Sequence, residues 1–254
     1  MKRKLLLLVA IVGTALMAVS CNAKQNYNND ISPEKPDPTV THKGPKAIFI
    51  GDSITWQWGL VTRTLKESQK VIIPTDPKPE WMSISGDQVT ITWHASFFSS
   101  NGYLDKGVSG QRTDEMLNRY QNDVLAEDPF CVVIMGGTND LAQGYTKDQI
   151  MANLKSMAEQ AAAKDMKVVL CSVTPCNMTY SRLVPQEKGP HIVALNKMIK
   201  DYAKEKGFTY CDYYPALVAE DGYSLKEEYC LYDRLHPNPD AYTVMEEIIQ
   251  KILK

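Results

Sequence analysis

The sequence predicts a three-layer α/β fold built around a parallel β-sheet. From Ala47 onward, short apolar segments alternate with longer amphipathic segments. The short segments are apolar at consecutive positions rather than at every second one, which is typical of central strands covered on both faces. Because strands and helices alternate along the chain, the strands are expected to run parallel and to be joined by crossover helices.

The individual elements of this core follow from the same pattern. The predicted strands are Ala47–Gly51, Phe130–Gly136, Lys167–Val173 and Phe208–Tyr213, with a fifth, weaker strand ending near 106–108. The predicted helices are Thr113–Ala126, Lys147–Lys164, Pro190–Lys206 and Pro239–Leu253. The last helix has the clearest start signal, because Asn238 is a good N-cap and Pro239 suits the first helical position.

The segment from about 64 to 95 departs from this alternation. Apolar residues there alternate with polar ones on both sides of a turn at 85–88, namely Met82, Ile84, Val89, Ile91 and Trp93. Alternation around a short turn is typical of a β-hairpin, so this segment is predicted to be a β-hairpin insertion. The pattern leaves open whether the insertion covers a cleft or only decorates the surface.

The N-terminus resembles a bacterial export signal. A basic head at 2–4 precedes an apolar run at 5–19, which is typical of a secretory signal peptide. The stretch Ala18–Cys21 is similar to a lipobox, in which the cysteine is acylated, although Ala18 stands where Leu is commonest. The alternative is an ordinary signal peptide with a cysteine near its end.

The domain organisation follows from this N-terminus. Residues 1–20 are predicted to be a lipoprotein signal peptide, with Cys21 as the lipidation site. Residues 21–46 are rich in Asn, Pro, Lys and Asp, a composition that favours a flexible tether, and 47–254 are predicted to form one domain. The expected location is the bacterial cell envelope, periplasmic or at the cell surface, with membrane contact only through the lipid anchor.

Charge and histidine distribution argue against several classes of partner. Without residues 1–20 the chain has 25 basic and 30 acidic side chains, a formal net charge of −5, and no basic block. Nucleic acid is therefore an unexpected partner. The four histidines, His42, His94, His191 and His236, are scattered, and no Cys/His spacing resembles a zinc site, so no metal is expected.

The cysteines leave one question open. Cys131, Cys171 and Cys211 lie in predicted buried strands, where cysteine behaves as a small hydrophobic residue. Cys176 and Cys230 lie in predicted loops, and an oxidising compartment would allow them to pair. The sequence does not decide between a disulfide and two thiols.

A serine follows the first strand directly. In Gly51-Asp52-Ser53, Ser53 is expected on the turn leaving the C-terminal edge of a parallel sheet, where ligands bind in open α/β folds. The next residues can begin a helix, whose N-terminal N–H groups favour developing negative charge. The alternative is that Asp52 and Ser53 serve only to cap that helix.

A histidine and an aspartate lie three residues apart near the C-terminus. A serine hydroxyl is a weak nucleophile and needs a base within hydrogen-bond reach. His236 is the natural base at neutral pH, and Asp233 could hold its tautomer. The alternative is an exposed turn with a solvated histidine. For His42 and His191 we prefer the interpretation without a catalytic role. His94 borders the insertion, and its role stays undecided.

Two glycine-rich turns follow predicted strands and are expected at the same sheet edge as Ser53. These turns are Gly107–Gln111 and Gly136–Asp140. Acyl transfer needs donors for the oxyanion of a tetrahedral intermediate, and a close glycine N–H and an asparagine amide are suitable donors. Neither turn matches a nucleotide-binding motif, and there is no Gly-x-Ser-x-Gly elbow, which argues against the α/β-hydrolase fold.

Taken in order, these four blocks resemble the SGNH (GDSL-like) hydrolase family, which is named for its Ser, Gly, Asn and His. The resemblance extends over 47–254, with Ile54 where the name-giving motif has Leu. It implies a flavodoxin-like three-layer α/β/α sandwich with a five-stranded parallel sheet. It also implies ester hydrolysis through an acyl-enzyme, without a metal or an organic cofactor.

The resemblance implies a role for each matching residue. Ser53 would attack the ester carbonyl, His236 would accept its proton, and Asp233 would orient His236. The N–H groups of Ser53 and Gly110 and the side chain of Asn139 would form the oxyanion hole.

The substrate is the least determined part of the prediction. An exported enzyme meets polysaccharides first, and exposed aromatic rings can stack on sugars. Both points favour an ester substrate that is an acetylated glycan or a small molecule, with removal of the acetyl group as the reaction. Candidate substrate contacts are Trp56, Trp58, Trp93 and Arg182, although ordinary packing is the simpler interpretation of any one tryptophan. The alternatives are a lysophospholipase- or thioesterase-like hydrolase of longer acyl chains, and a catalytically silent envelope binding protein.

Overall fold

The structure is a computed structural model that describes residues 41–65, 78–86, 88–93, 96–176 and 189–254. Its main sheet contains β1 (Ala47–Gly51), β5 (Tyr103–Gly107), β6 (Cys131–Met135), β7 (Lys167–Cys171) and β8 (Thr209–Cys211). These five strands are all parallel, in the order β5-β1-β6-β7-β8. The predicted five-stranded parallel sheet is confirmed.

Helices cover both faces of this sheet. The helices are α1 (Ser53–Trp58), α2 (Ser96–Asn101), α3 (Thr113–Tyr120), α4 (Thr138–Ala142), α5 (Lys147–Ala162), α6 (Gly189–Lys206), α7 (Tyr214–Leu217) and α8 (Pro239–Leu253). In the described part of the chain, none of them has the length and apolar character needed to cross a membrane.

The apolar strands explain the two-sided core. On β1, Phe49 points into a core shared with α1, α2 and α8, whereas Ile48 and Ile50 point into a second core shared with α3, α5 and α6. All five residues of β1 are buried. A strand buried on both faces cannot alternate polar and apolar residues, which is why the sequence is continuously apolar there.

Several predicted elements are shorter in the structure than their apolar patterns suggested. Strand β7 ends at Cys171, yet the next residues as far as Cys176 are still buried. Burial therefore continues beyond the last hydrogen bond between β7 and its neighbours. Because the prediction rested on hydrophobicity, it placed the end of this strand too late, at Val173. Similarly, α3 is α-helical only to Tyr120, and Gln121–Leu125 then form a π-helical turn.

The insertion forms a second, antiparallel sheet. Strands β3 (Met82–Ser85) and β4 (Gln88–Thr92) pair as the predicted hairpin, with Ser85 opposite Gln88. A third strand, β2 (Thr62–Leu65), pairs with the other edge of β4. The sequence did not predict β2, because it has four residues of which only Leu65 is buried. We call these three strands the inserted sheet.

The folded domain begins before Ala47. Nδ1 of His42 lies 2.8 Å from Oδ1 of Asp128, and the N–H of Gly44 donates to the Asp128 carbonyl at 3.0 Å. The N–H of Lys46 donates to the Gly102 carbonyl at 3.0 Å. The last five residues of the predicted tether, 42–46, therefore contact the domain. The signal peptide, Cys21 and most of the tether lie outside the described residues.

Candidate active site

Ser53 lies at the C-terminal edge of the main sheet, where β1 gives way to α1. Asp52 is the N-cap of α1, and its Oδ1 accepts a hydrogen bond from the N–H of Ile54 at 2.9 Å. The cap fixes the turn directly after Gly51, so that Ser53 becomes the first residue of the helix. Its side chain is half-buried at this edge.

Ser53, His236 and Asp233 form one hydrogen-bonded chain. Nε2 of His236 lies 2.9 Å from Oγ of Ser53, and Nδ1 lies 2.6 Å from Oδ2 of Asp233. The second carboxylate oxygen, Oδ1, accepts from the backbone N–H groups of Leu235 at 3.1 Å and His236 at 2.9 Å. The structure thus brings these three side chains together, although Ser53 and His236 are 183 residues apart in sequence.

The environment of Asp233 favours its ionised form. Burial by itself raises the pKa of this carboxyl. The hydrogen bond and charge of His236 and the two backbone N–H groups act in the other direction and prevail, so the pKa lies below its ordinary value. Asp233 is therefore a carboxylate at neutral pH and can accept the Nδ1 proton of His236.

The loop that carries Asp233 and His236 is held at both ends by backbone hydrogen bonds. The N–H of Leu231 donates to the His236 carbonyl at 2.9 Å, and the N–H of Asn238 donates to the Tyr229 carbonyl at 2.9 Å. The Asn238 side chain also accepts from the N–H of Ala241, at 3.1 Å, as the predicted cap of α8. The same residue therefore starts the helix and fixes the loop.

The two glycine-rich turns lie on either side of the Ser53 turn. Gly51 is opposite Gly107 of β5 and opposite Met135 of β6, so the three strands end at the same level. Gly110 follows β5 and has φ of +82°, a conformation in which a side chain would be strained. Asn139 follows β6 in the first turn of α4. The sheet therefore brings the turns that carry Gly110 and Asn139 to either side of the Ser53 turn, one from each neighbouring strand.

The side chain of Asn139 is held by the other glycine-rich turn. Its Nδ2 donates to the Gln111 carbonyl at 2.9 Å. Next to it, buried Asp140 accepts from the N–H of Thr113 at 3.0 Å and from its hydroxyl at 2.5 Å. Burial raises the pKa of Asp140 despite these hydrogen bonds. Since an amide nitrogen has two protons, one N–H of Asn139 is used in this contact and the second is available for a ligand.

The predicted substrate contacts differ in accessibility. Trp56 is 38% exposed and lies three residues after Ser53. Trp58 is 2% exposed, stacks on Phe97 at 5.3 Å, and donates through Nε1 to Glu246 at 2.9 Å. Trp58 is therefore a core residue, and its prediction as a substrate contact is wrong.

The remaining candidates separate in the same way. Trp93 is 3% exposed, so it too belongs to the core rather than to a sugar-binding surface. Arg182 and His94 lie outside the described residues. His42 and His191 contact Asp128 and Lys147, respectively, and neither contacts the Ser53 chain of hydrogen bonds.

The two loop cysteines are buried thiols and do not form a disulfide in this structure. Burial raises the pKa of both Cys176 and Cys230 to about 12, so neither is a reactive thiolate at neutral pH. Within the described residues, no group of three or more His, Cys, Asp or Glu side chains is arranged to hold a metal ion.

Three residues that support the site were not identified from the sequence. Arg119 donates to the Gly51 carbonyl at 3.1 Å and to the Gln111 side chain at 2.6 Å, which ties two of the turns together. Gln57 donates to the Pro237 carbonyl at 3.2 Å, and Arg63 contacts Gln57. The Arg119 contact with Gly51 and the Gln57 contact with Pro237 join residues distant in sequence, and no local pattern around these residues indicates any of the four contacts.

Comparison with known proteins identifies the family. The model of the GDSL-like lipase/acylhydrolase family matches residues 49–244. A GDSL-like lipase from Bacteroides thetaiotaomicron VPI-5482 is 30% identical, with a TM-score of 0.65 over 82% of this chain and 86% of that chain. Fold and family define a carboxylic ester hydrolase. The chain belongs to the GDSL-like lipase/acylhydrolase family.

Two further proteins resemble this chain less closely in fold or over a shorter stretch. A catalytic mutant of an acetylxylan esterase from Geobacillus stearothermophilus is 19% identical, with a TM-score of 0.55 over 84% of this chain and 95% of that chain, and shares the fold. The uncharacterised lipoprotein YqeF of Bacillus subtilis (strain 168) is 33% identical over 78 residues. That match covers 28% of this chain and 32% of YqeF, about a third of its length.

Proposed function

We propose that this chain is a serine esterase that removes short acyl groups, above all acetyl groups, from carbohydrate through an acyl-enzyme. The observation that carries this proposal is the continuous hydrogen-bonded chain from Ser53 through His236 to Asp233, with distances of 2.9 Å and 2.6 Å. In this arrangement, His236 accepts the proton of Ser53 as the hydroxyl oxygen attacks the ester carbonyl.

Asp233 orients the imidazole ring of His236 and fixes its tautomer. An ionised carboxylate at Nδ1 holds the ring proton on that side, which leaves the lone pair of Nε2 facing Ser53. After the attack, the same Nε2 donates its proton to the departing alcohol. It then accepts a proton from the water that attacks the acyl-enzyme, and it returns this proton to Oγ of Ser53 as the carboxylic acid leaves.

Three donors are suited to the oxyanion that forms in both steps. The N–H of Ser53 is at the start of α1, where helix geometry provides no partner for it. The N–H of Gly110 and the second N–H of Asn139 come from the neighbouring strand ends. Fixed donors of this kind stabilise charge that exists only in the transition state, and loss of one such donor typically lowers kcat by about 10²–10³-fold.

The carbohydrate assignment rests mainly on Trp56. An exposed indole three residues from the nucleophile is a surface on which a sugar ring can stack while its ester reaches Ser53. The acetylxylan esterase from Geobacillus stearothermophilus is an example of the same fold acting on an acetylated sugar polymer. Export to the cell envelope would place this enzyme next to such polymers.

The test compares p-nitrophenyl acetate, butyrate and octanoate, using a soluble form that begins at Thr39 and so retains His42. We expect turnover to be highest on acetate, to fall with chain length, and to disappear in Ser53→Ala. Preference for octanoate would favour the lysophospholipase-like alternative. Equal rates for the wild type and Ser53→Ala on every ester would favour a silent binding protein.

A second comparison tests the sugar contact. Trp56→Ala should raise KM for an acetylated xylo-oligosaccharide about tenfold or more, because stacking is lost, while KM for p-nitrophenyl acetate changes little. An equal effect on both substrates would show that Trp56 shapes the site without binding sugar.

A further inference from the structure

We propose that Arg63 is a positioning residue, which ties the inserted sheet to both ends of the loop that carries Asp233 and His236. We call residues 232–237 the Asp–His loop. The inference rests on the proposed function, since it assigns Arg63 a role in keeping His236 aligned with Ser53. No motif includes Arg63, and its side chain acts only through its neighbours.

The first contact is direct. Arg63 lies on β2 of the inserted sheet, and its Nη2 donates to the Tyr232 hydroxyl at 3.0 Å. The guanidinium carbon also lies 5.8 Å from the centre of the Tyr232 ring. Because Tyr232 immediately precedes Asp233, this contact fixes the beginning of the Asp–His loop.

The second contact passes through Gln57. Nη1 of Arg63 donates to Oε1 of Gln57 at 3.2 Å, and Nε2 of Gln57 donates to the Pro237 carbonyl at 3.2 Å. Since arginine only donates and a carbonyl only accepts, these two partners fix the orientation of the amide. Pro237 immediately follows His236, so this relay fixes the end of the loop.

Gln57 also connects the relay to the nucleophile. It lies on α1, four residues after Ser53, and is only 1% exposed. Arg63 therefore links the helix that carries Ser53 with both ends of the loop that carries His236. Without Arg63, the buried Oε1 of Gln57 would lack its donor, and the amide would rotate or admit water and release Pro237. A displacement of about 1 Å in a catalytic group can lower the rate about 10²-fold.

The inserted sheet has another anchor, which provides a control. Nε1 of Trp81 donates to Oδ2 of Asp240 at 2.8 Å, in the first turn of α8. This bond attaches the same sheet to the same side of the domain without passing through Tyr232 or Gln57. Trp81→Phe thus weakens the attachment of the sheet but leaves the Arg63 contacts in place.

The experiment measures kcat and KM of the full chain on p-nitrophenyl acetate for Arg63→Ala, Arg63→Lys and Trp81→Phe. We expect Arg63→Ala to lower kcat about 10- to 100-fold with KM within twofold. Arg63→Lys should recover part of this loss, because one ammonium can reach one of the two acceptors. Trp81→Phe should stay within about twofold of the wild type. A kcat within twofold in Arg63→Ala, an equal loss in Trp81→Phe, or a change confined to KM would overturn the proposal.

Tyr232→Phe covers the case in which Arg63→Ala does not fold. It removes one hydroxyl, and we expect kcat to fall several-fold with little change in thermal unfolding. Combined with Arg63→Lys, its effect should be less than the product of the two single effects, because both act through one contact. An unchanged kcat in Tyr232→Phe, or independent effects, would contradict the proposal.

A spectroscopic measurement separates this inference from the proposed function. The downfield proton resonance of the His236 ring at Nδ1 reports its hydrogen bond to Asp233, with or without a known substrate. If no ester is hydrolysed by the wild type, the proposed function fails. In that case the Nδ1 proton resonance of His236 in Ser53→Ala still tests the role of Arg63. Loss or broadening of this resonance in Ser53→Ala/Arg63→Ala supports the positioning role. An unchanged resonance overturns it.

Discussion

Asp52 has a buried carboxyl group directly beside Ser53. Burial raises its pKa from the ordinary 3.8 to about 6, although the N–H of Ile54 and the charge of His236 act in the opposite direction. The folded state therefore binds a proton that the unfolded state has already lost between these two values. The stability contributed by Asp52 is fully present below about pH 4 and decreases as the pH rises through about 6.

Asp52→Asn should remove this pH dependence while it keeps the cap, since an asparagine oxygen can still accept from Ile54. Relative to the wild type, the free energy of unfolding of the variant should rise by about 3 kcal/mol between pH 3.5 and pH 8. Urea unfolding at several pH values measures this difference. Parallel wild-type and Asp52→Asn curves would show that Asp52 does not titrate in this range.

Asn139→Ala tests the proposed oxyanion hole. It should lower kcat about 10²–10³-fold with little change in KM, because the lost donor acts mainly in the transition state. The substitution also removes the bond to the Gln111 carbonyl, so a stability effect must be separated from the catalytic one. Asn153→Ala provides this control, since Asn153 donates to the Thr113 hydroxyl at 3.0 Å and makes a comparable structural bond. Similar kcat losses in both variants would argue against a catalytic role for Asn139.

The residues near Ser53 show what a sequence can and cannot reveal at this scale. Motif residues directly after a strand are local signals, so Ser53, Gly110 and Asn139 could be placed at one sheet edge without a structure. The sequence makes both Trp56 and Trp58 candidate substrate contacts, yet residues two apart on a helix point about 200° apart. One of them had to face the core, and the helical period would have indicated that both could not be exposed.

At the scale of elements, the inserted sheet shows a similar limit. Its β3–β4 hairpin was predictable because alternation and a turn are local features. Strand β2 pairs with β4 across more than twenty intervening residues, with Thr62 opposite Thr92, and nothing near Thr62 indicates that partner. The Arg63 contacts with Tyr232 and Gln57 depend on the same long-range pairing, which explains why they emerged only from the structure.

The segment 42–46 is an element whose contribution can be measured. His42 bridges two loops, with Nδ1 2.8 Å from Asp128 Oδ1 and Nε2 3.2 Å from the Asp165 carbonyl. Both loops precede strands, so this contact lies at the N-terminal edge of the sheet, opposite the Ser53 site. The hydrogen bond from His42 holds the pKa of Asp128 below its ordinary value.

His42→Ala should therefore lower Tm by about 2–6 °C and leave kcat unchanged. Calorimetry and the acetate assay measure the two effects on the same preparation. His191→Ala, in which an exposed histidine beside Lys147 is removed, is the matched control and should change neither quantity. A fall in kcat without a fall in Tm would mean that the contact at this edge is coupled to the site.

At the scale of the whole molecule, residues 42–46 and the Ser53 turn lie at opposite edges of the parallel sheet. The chain enters the domain at 42–46, at the N-terminal edge of β1, and the Ser53 turn lies at the other end of the same strand. Five residues of strand span about 17 Å. Residues 42–46 and the candidate active site therefore lie at opposite edges of the sheet.

The lipid anchor itself is proposed from the sequence, and Cys21→Ser tests it in the full-length chain. Wild-type protein expressed in a bacterial host should incorporate labelled palmitate and enter the detergent phase of a Triton X-114 extract, because an acylated cysteine inserts into the bilayer. Cys21→Ser should remain unlabelled, and Cys176→Ser should still be labelled, since its thiol is buried in the domain. Detergent-solubilised Cys21→Ser should retain the wild-type kcat on acetate, because residues 42–46 contact the domain at the edge opposite Ser53. Labelling that persists in Cys21→Ser would place the anchor elsewhere, and an unlabelled wild type would favour a signal peptide that is simply cleaved.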